Sequence, residues 1–143
     1  MDKPKVFYTA TATATGDGRN GHVATDDGLV DVDLATPKPL SKPTKTNPEQ
    51  LFAAGFSVCF NSAFQMTAKK AKAPLTDSRV TAKVGIGPVG LRGGFALAVT
   101  LQVRTEGLDQ ATAQELAEAA HQVCPYSNAT RGNIEVTLEV TAA

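Results

Sequence analysis

The chain has 143 residues, 42% of them hydrophobic and 20% charged, which is the make-up of one soluble globular domain with a real core. Its 14 lysines and arginines are matched by 14 acids, so the cationic surplus that nucleic acid or an anionic membrane demands is missing. No apolar run follows Met1–Lys5 to form a secretion signal, and none approaches the ~20 residues of a membrane span, so a cytoplasmic protein is expected.

Val6 to Thr15 alternates without a break. Val6, Tyr8, Ala10, Ala12 and Ala14 fall on one face and Phe7 and four threonines on the other, which predicts a strand. Gly16 to Gly21 is a turn of glycines with Asp17 and Asn20, which tolerate positive φ. It holds Arg19 at its tip, by itself the position of a solvated turn residue. His22 to Thr25 returns as a strand, Asp27-Gly28 signals a hairpin, and Leu29 to Leu34 makes a third strand. Ala35 to Thr46 carries Pro37, Pro39 and Pro43 and can be neither helix nor ladder strand. It reads as a solvated linker or as a functional loop.

A helix is predicted from about Pro48 to Lys70. Asn47 suits the N-cap, Pro48 the first helical position, and Glu49 the positive end of the helix dipole. From Leu51 to Phe60 there is almost no polar face. Phe52, Phe56, Phe60 and Phe64 recur every four residues as an aromatic ridge. A helix so apolar belongs inside a core and needs cover on several sides, more than one sheet gives. Cys59 lies close to the face of Phe52, Ala63 and Met66. Burial as a small core residue is the common fate of such a cysteine; a reactive thiol is the alternative.

Arg79–Ile86 and Phe95–Thr105 alternate as two further strands. Between them Gly85-Ile86-Gly87-Pro88-Val89-Gly90 matches the dinucleotide fingerprint letter by letter. The fingerprint needs a helix straight after it, and here a strand follows, so a glycine-rich hairpin is expected. Asp109 caps a second, amphipathic helix through Val123. Pro125 stops it, which leaves Cys124 at a frayed exit where a thiol can move, followed by a loop over residues 125–132. Ile134–Val140 is the last strand. The two cysteines are free thiols, metal ligands or redox partners rather than a structural staple. His22 and His121 make no ligand spacing with them, so neither a metal nor a cofactor is expected.

The segments from Thr46-Asn47-Pro48-Glu49-Gln50-Leu51-Phe52 through Cys59-Phe60, and from His121 through Cys124-Pro125-Tyr126-Ser127-Asn128-Ala129-Thr130-Arg131-Gly132-Asn133, resemble the two signature stretches of the organic hydroperoxide resistance proteins. These are a branch of the Ohr/OsmC family of bacterial thiol peroxidases. The likeness covers essentially the whole chain, and the second stretch points to this branch rather than the osmotically inducible one.

The elements in order, βββ-α-ββ-α-β, predict an α+β fold in which antiparallel sheets wrap a central buried helix, in a single domain over residues 1–143. The resemblance implies that the assembly is an intertwined homodimer. It implies reduction of alkyl and fatty-acid hydroperoxides, with a lipoyl dithiol or a lipoylated carrier protein as reductant. In this likeness Cys59 is the peroxidatic and Cys124 the resolving cysteine, while Arg19 and Glu49 activate the thiolate. Burial against Phe52, Phe56 and Phe60 would raise the Cys59 pKa, so a cation must reverse it, and a guanidinium stays charged even when partly buried. Glu49 is an anion and would serve by holding Arg19. The phenylalanines would form a trough for the peroxide tail, or simply pack the core. An osmotically inducible type of peroxidase, and a non-catalytic redox-sensing or binding dimer with structural thiols, are the other readings.

Overall fold

Short strands and glycine turns build the beginning of the chain. The structure is a computed structural model that describes residues 2–91 and 93–143, in two units, Met1–Pro48 and Glu49–Ala143. In the first unit, β1 (Ala12–Thr15), β2 (His22–Thr25) and β3 (Asp31–Asp33) form an antiparallel sheet in that order. A 3-10 turn, Gly18–Asn20, carries Arg19 between β1 and β2. Glycine is required there: Gly16 and Gly18 have φ of 80° and 54°, and a side chain on Gly21 would meet the Thr15 carbonyl oxygen at 2.2 Å.

The strand expected from Val6 spans only Ala12–Thr15. Alternation alone does not make a strand; it needs a ladder partner, and β2 offers four residues. The strand expected over Leu29–Leu34 narrows in the same way to Asp31–Asp33, with Leu34 bridging to Thr46. Across β2 and β3, His22 is clamped between two carboxylates, Nδ1 at 2.7 Å from Asp33 and Nε2 at 2.5 Å from Asp31.

In the second unit, α1 (Pro48–Lys70) starts at its proline, with Glu49 in its first turn and Lys69 and Lys70 in its last. Phe56, Phe60, Ala63, Phe64 and Ala68 bury one face. The opposite side shows Val58 and Met66, 71% and 69% exposed. β4 (Asp77–Pro88) and β5 (Phe95–Glu106) pair antiparallel over their whole length. The fingerprint-like glycines end β4 and enter its hairpin, and a strand follows them.

After β5 come α2 (Gln110–Val123), α3 (Pro125–Thr130) and β6 (Val136–Ala142). Asp109 caps α2 by accepting the Thr112 N–H at 2.7 Å. The expectation of antiparallel pairing fails for β6, which lies parallel to β5. The two helices between these strands supply the long crossover that parallel neighbours require. Val99, Leu101 and Val103 of β5 face Phe56, Phe60 and Phe64 of α1 and Leu116, Ala117 and Ala120 of α2 in one core. The fold is α+β, with two three-stranded sheets and an apolar helix packed into the core of the second unit.

Candidate active site

Cys59 is carried in the middle of α1, where it is partly exposed, and Cys124 is fully buried at the junction of α2 and α3. The loop expected over residues 125–132 is in large part the helix α3, and the frayed exit expected at Cys124 is a fixed corner. Pro125 does stop α2, by pushing Cys124 to φ −65°, ψ 126°. It also takes the first position of α3, where its missing N–H costs nothing. Cys124 therefore ends one helix and starts the next. Its N–H donates to Ala120 O and its carbonyl accepts from the Asn128 N–H, both at 2.9 Å.

This corner delivers the second thiol to the first. The Cys124 Sγ donates to the Cys59 Sγ at 3.4 Å, and both are free thiols. Burial pushes the Cys59 thiol above its ordinary pKa; the Tyr126 backbone N–H, aimed at the sulfur, works the other way, and the adjacent Cys124 adds to the upward push. That N–H belongs to the open first turn of α3, where donors have no intrahelical partner.

Tyr126 also packs its ring against Phe52 and Phe56, with centroids 5.9 and 5.7 Å away. Gly55, one turn before Cys59, makes room for it: a side chain there would meet the tyrosine oxygen at 2.8 Å. Phe52 and Tyr126, with Phe95, Leu97, Ala129 and Ile134, line a mostly apolar cavity of about 580 Å³. Of the three phenylalanines singled out in the sequence, Phe52 reaches this cavity, while Phe56 and Phe60 are fully buried core.

Glu49 lies in the first turn of α1, ten residues before Cys59, about 15 Å along the helix axis at 1.5 Å per residue. Arg19 lies in the 3-10 turn of the N-terminal unit. Sequence reasoning gave no role to Tyr126, His121 or Ser127. His121 Nδ1 is 2.7 Å from the Oγ of fully buried Ser127, and its ring stacks at a tilt on Phe60, 6.3 Å between centroids. Burial and the charge of Arg131 push the His121 pKa down. Arg131 donates to the His121 carbonyl and to Asn128 Oδ1. The available signal for Tyr126 was Gly55 itself, since a glycine inside a long helix marks a close approach. Among the described residues no cluster of three or more His, Cys, Asp or Glu is arranged to hold a metal, and no helix is long and apolar enough to cross a membrane.

Comparison with known proteins identifies the family. The family model for OsmC-like protein matches residues 41–139. The organic hydroperoxide resistance protein OhrB of Bacillus subtilis is 47% identical over 135 residues, covering 94% of this chain and 98% of its own. The organic hydroperoxide resistance protein of Xanthomonas axonopodis pv. citri is 49% identical over 137 residues, 94% of each. Among solved structures, an organic hydroperoxide resistance protein from Elizabethkingia anophelis, with thiocyanate bound, superposes with a TM-score of 0.91 at 51% identity, over 98% of this chain and 100% of that one. The OhrB crystal structure gives 0.87 at 45%, over 95% and 100%. The chain therefore belongs to the OsmC-like family and, within it, to the organic hydroperoxide resistance proteins.

Proposed function

We propose that the protein is a thiol peroxidase that reduces organic hydroperoxides to alcohols with Cys59 and Cys124. The observation that carries this reading is the 3.4 Å contact between a partly open thiol and a sealed one. The Cys59 thiolate attacks the outer peroxide oxygen. The O–O bond breaks, the alkoxide leaves and takes a proton to become the alcohol, and the sulfur becomes a sulfenic acid. The Cys124 thiol then attacks that sulfur. A disulfide forms, and the sulfenic oxygen leaves as water with the thiol proton. Almost no motion is asked of the sulfurs, which shorten from 3.4 Å to the ~2.05 Å of a disulfide.

The thiolate must first form, and burial opposes it. One backbone N–H is a partial remedy. A cation within ~4–6 Å lowers a neighbouring pKa by one to three units, and we assign that part to Arg19, with Glu49 holding the guanidinium. The same charge would stabilise the leaving alkoxide. The apolar cavity beside Tyr126 suits a hydrocarbon tail rather than hydrogen peroxide. A dithiol of lipoyl type, free or on a carrier protein, returns the disulfide to thiols.

The 143 residues are assigned to one cytoplasmic domain acting as a homodimer. The exposed Val58 and Met66 of α1, and Val6 and Phe7 near the N-terminus, support a second copy as cover. The test is thiol titration. Adding cumene hydroperoxide to the reduced protein should consume two thiols per chain and yield one cumyl alcohol. Unchanged thiols after excess peroxide would leave only a binding or sensing role.

A further inference from the structure

We infer that the hydrogen bond between His121 and Ser127 is a latch across the Cys124 corner, and that these two are positioning residues for disulfide formation. Cys124 is a joint between two helices. Its extended backbone interrupts the helical ladder, so α3 would be free to rock on α2 if nothing spanned the joint. The residues that span it stand three before and three after the cysteine. His121, in the last turn of α2, meets Ser127 in α3 at 2.7 Å. Ser127 is fully buried, so breaking this bond strands a polar group away from water. Arg131 adds a second strap, since it holds the His121 carbonyl and the Asn128 side chain together. Phe60, one residue after Cys59 on α1, packs against the His121 ring and registers the joint against the helix that carries the other thiol. Each contact fixes where Cys124 points.

The latch thus sets the effective concentration of one thiol at the other. That quantity is measured without any peroxide, by equilibrating the protein with oxidised and reduced dithiothreitol. Two thiol hydrogens pass to the dithiane as the Cys59–Cys124 disulfide forms. His121→Phe keeps a ring against Phe60 and removes the nitrogen. His121→Asn restores a polar atom at the position of Nδ1. Ser127→Ala removes the other partner.

The effective concentration should fall about tenfold in His121→Phe and in Ser127→Ala, the worth of one buried hydrogen bond. In His121→Asn, which keeps the hydrogen bond and loses only the ring packing on Phe60, the fall should be clearly smaller than in His121→Phe. Wild-type values in both deletions, or an equal fall in His121→Asn, would overturn the latch. Should His121→Phe not fold, Ser127→Ala carries the same comparison. The inference draws its purpose from the peroxidase reading, but the two fail separately. A shifted dithiothreitol equilibrium in a protein inert to hydroperoxide keeps the latch and removes the peroxidase. An unshifted one in an active peroxidase does the reverse.

Discussion

Gly55→Ala pits two local energies against each other. In the interior of an ordinary helix, alanine in place of glycine stabilises by about 1 kcal/mol. At position 55 the new methyl would sit 2.8 Å from the Tyr126 oxygen and 3.1 and 3.2 Å from two ring carbons. Ordinary contact is about 3.5–4 Å, so the ring must retreat by roughly 0.5 Å or more. It is held by Phe52 and Phe56, and each aromatic pair is worth about 0.5–1.5 kcal/mol. The gain should therefore be cancelled or reversed, leaving a change between about zero and 1 kcal/mol of destabilisation. In a Tyr126→Ala background the obstacle is gone, and the same substitution should stabilise by the full ~1 kcal/mol. Urea unfolding of the reduced protein across this double-mutant cycle should give a coupling of about 1–2 kcal/mol. An equal gain in both backgrounds would show that Tyr126 does not rest on Gly55.

Arg19→Ala and Glu49→Ala should each slow peroxide reduction, and the double variant should be little slower than Arg19→Ala, as for residues sharing one task; additive losses would separate them. Arg19→Ala should also move the pH dependence of the peroxide step upward, because burial of Cys59 is then uncompensated; an unmoved profile would leave Arg19 a turn residue. Dihydrolipoamide should sustain turnover far better than glutathione at equal thiol, since a dithiol closes its own disulfide intramolecularly; equal steady-state rates would refute this. His22 is raised above its ordinary 6.5 by Asp33 first and Asp31 second. Its clamp therefore stabilises fully below pH 6.5 and is lost as pH rises through the folded value. In an NMR titration Asp33→Asn should return the His22 midpoint toward 6.5, and an unmoved midpoint would dissolve the clamp.

Much of the fold was legible because one period dominated each element. The valine and leucine alternation of β5 and the apolar run of α1 have one cheap solution each. Strand direction was not legible: whether β6 runs with or against β5 depends on a crossover whose path no local pattern encodes. Pro125 marks a stop in the local pattern, but a proline that ends one helix is also suited to start another, and no local period announces the six-residue α3 that follows. Val6 to Thr11 alternates well yet lies outside β1, because alternation describes a surface and pairing needs a neighbour. At the site, the residues alone left Cys59 open between core and reagent, and only the signature stretches joined it to Cys124. Tyr126 was hidden because its contribution to the sulfur is a backbone N–H, which no side-chain motif announces.

The central claim is that Cys59 takes the oxygen and Cys124 closes the disulfide. A single-turnover experiment with tert-butyl hydroperoxide on the reduced protein separates the two roles. Cys124→Ser should reduce one equivalent of peroxide at nearly the wild-type rate, stop at a Cys59 sulfenic acid that dimedone traps, and fail to turn over with a dithiol. Cys59→Ser should reduce none. A first-turnover rate for Cys59→Ser equal to wild type, or a dimedone adduct on Cys124 in place of Cys59, would contradict the account.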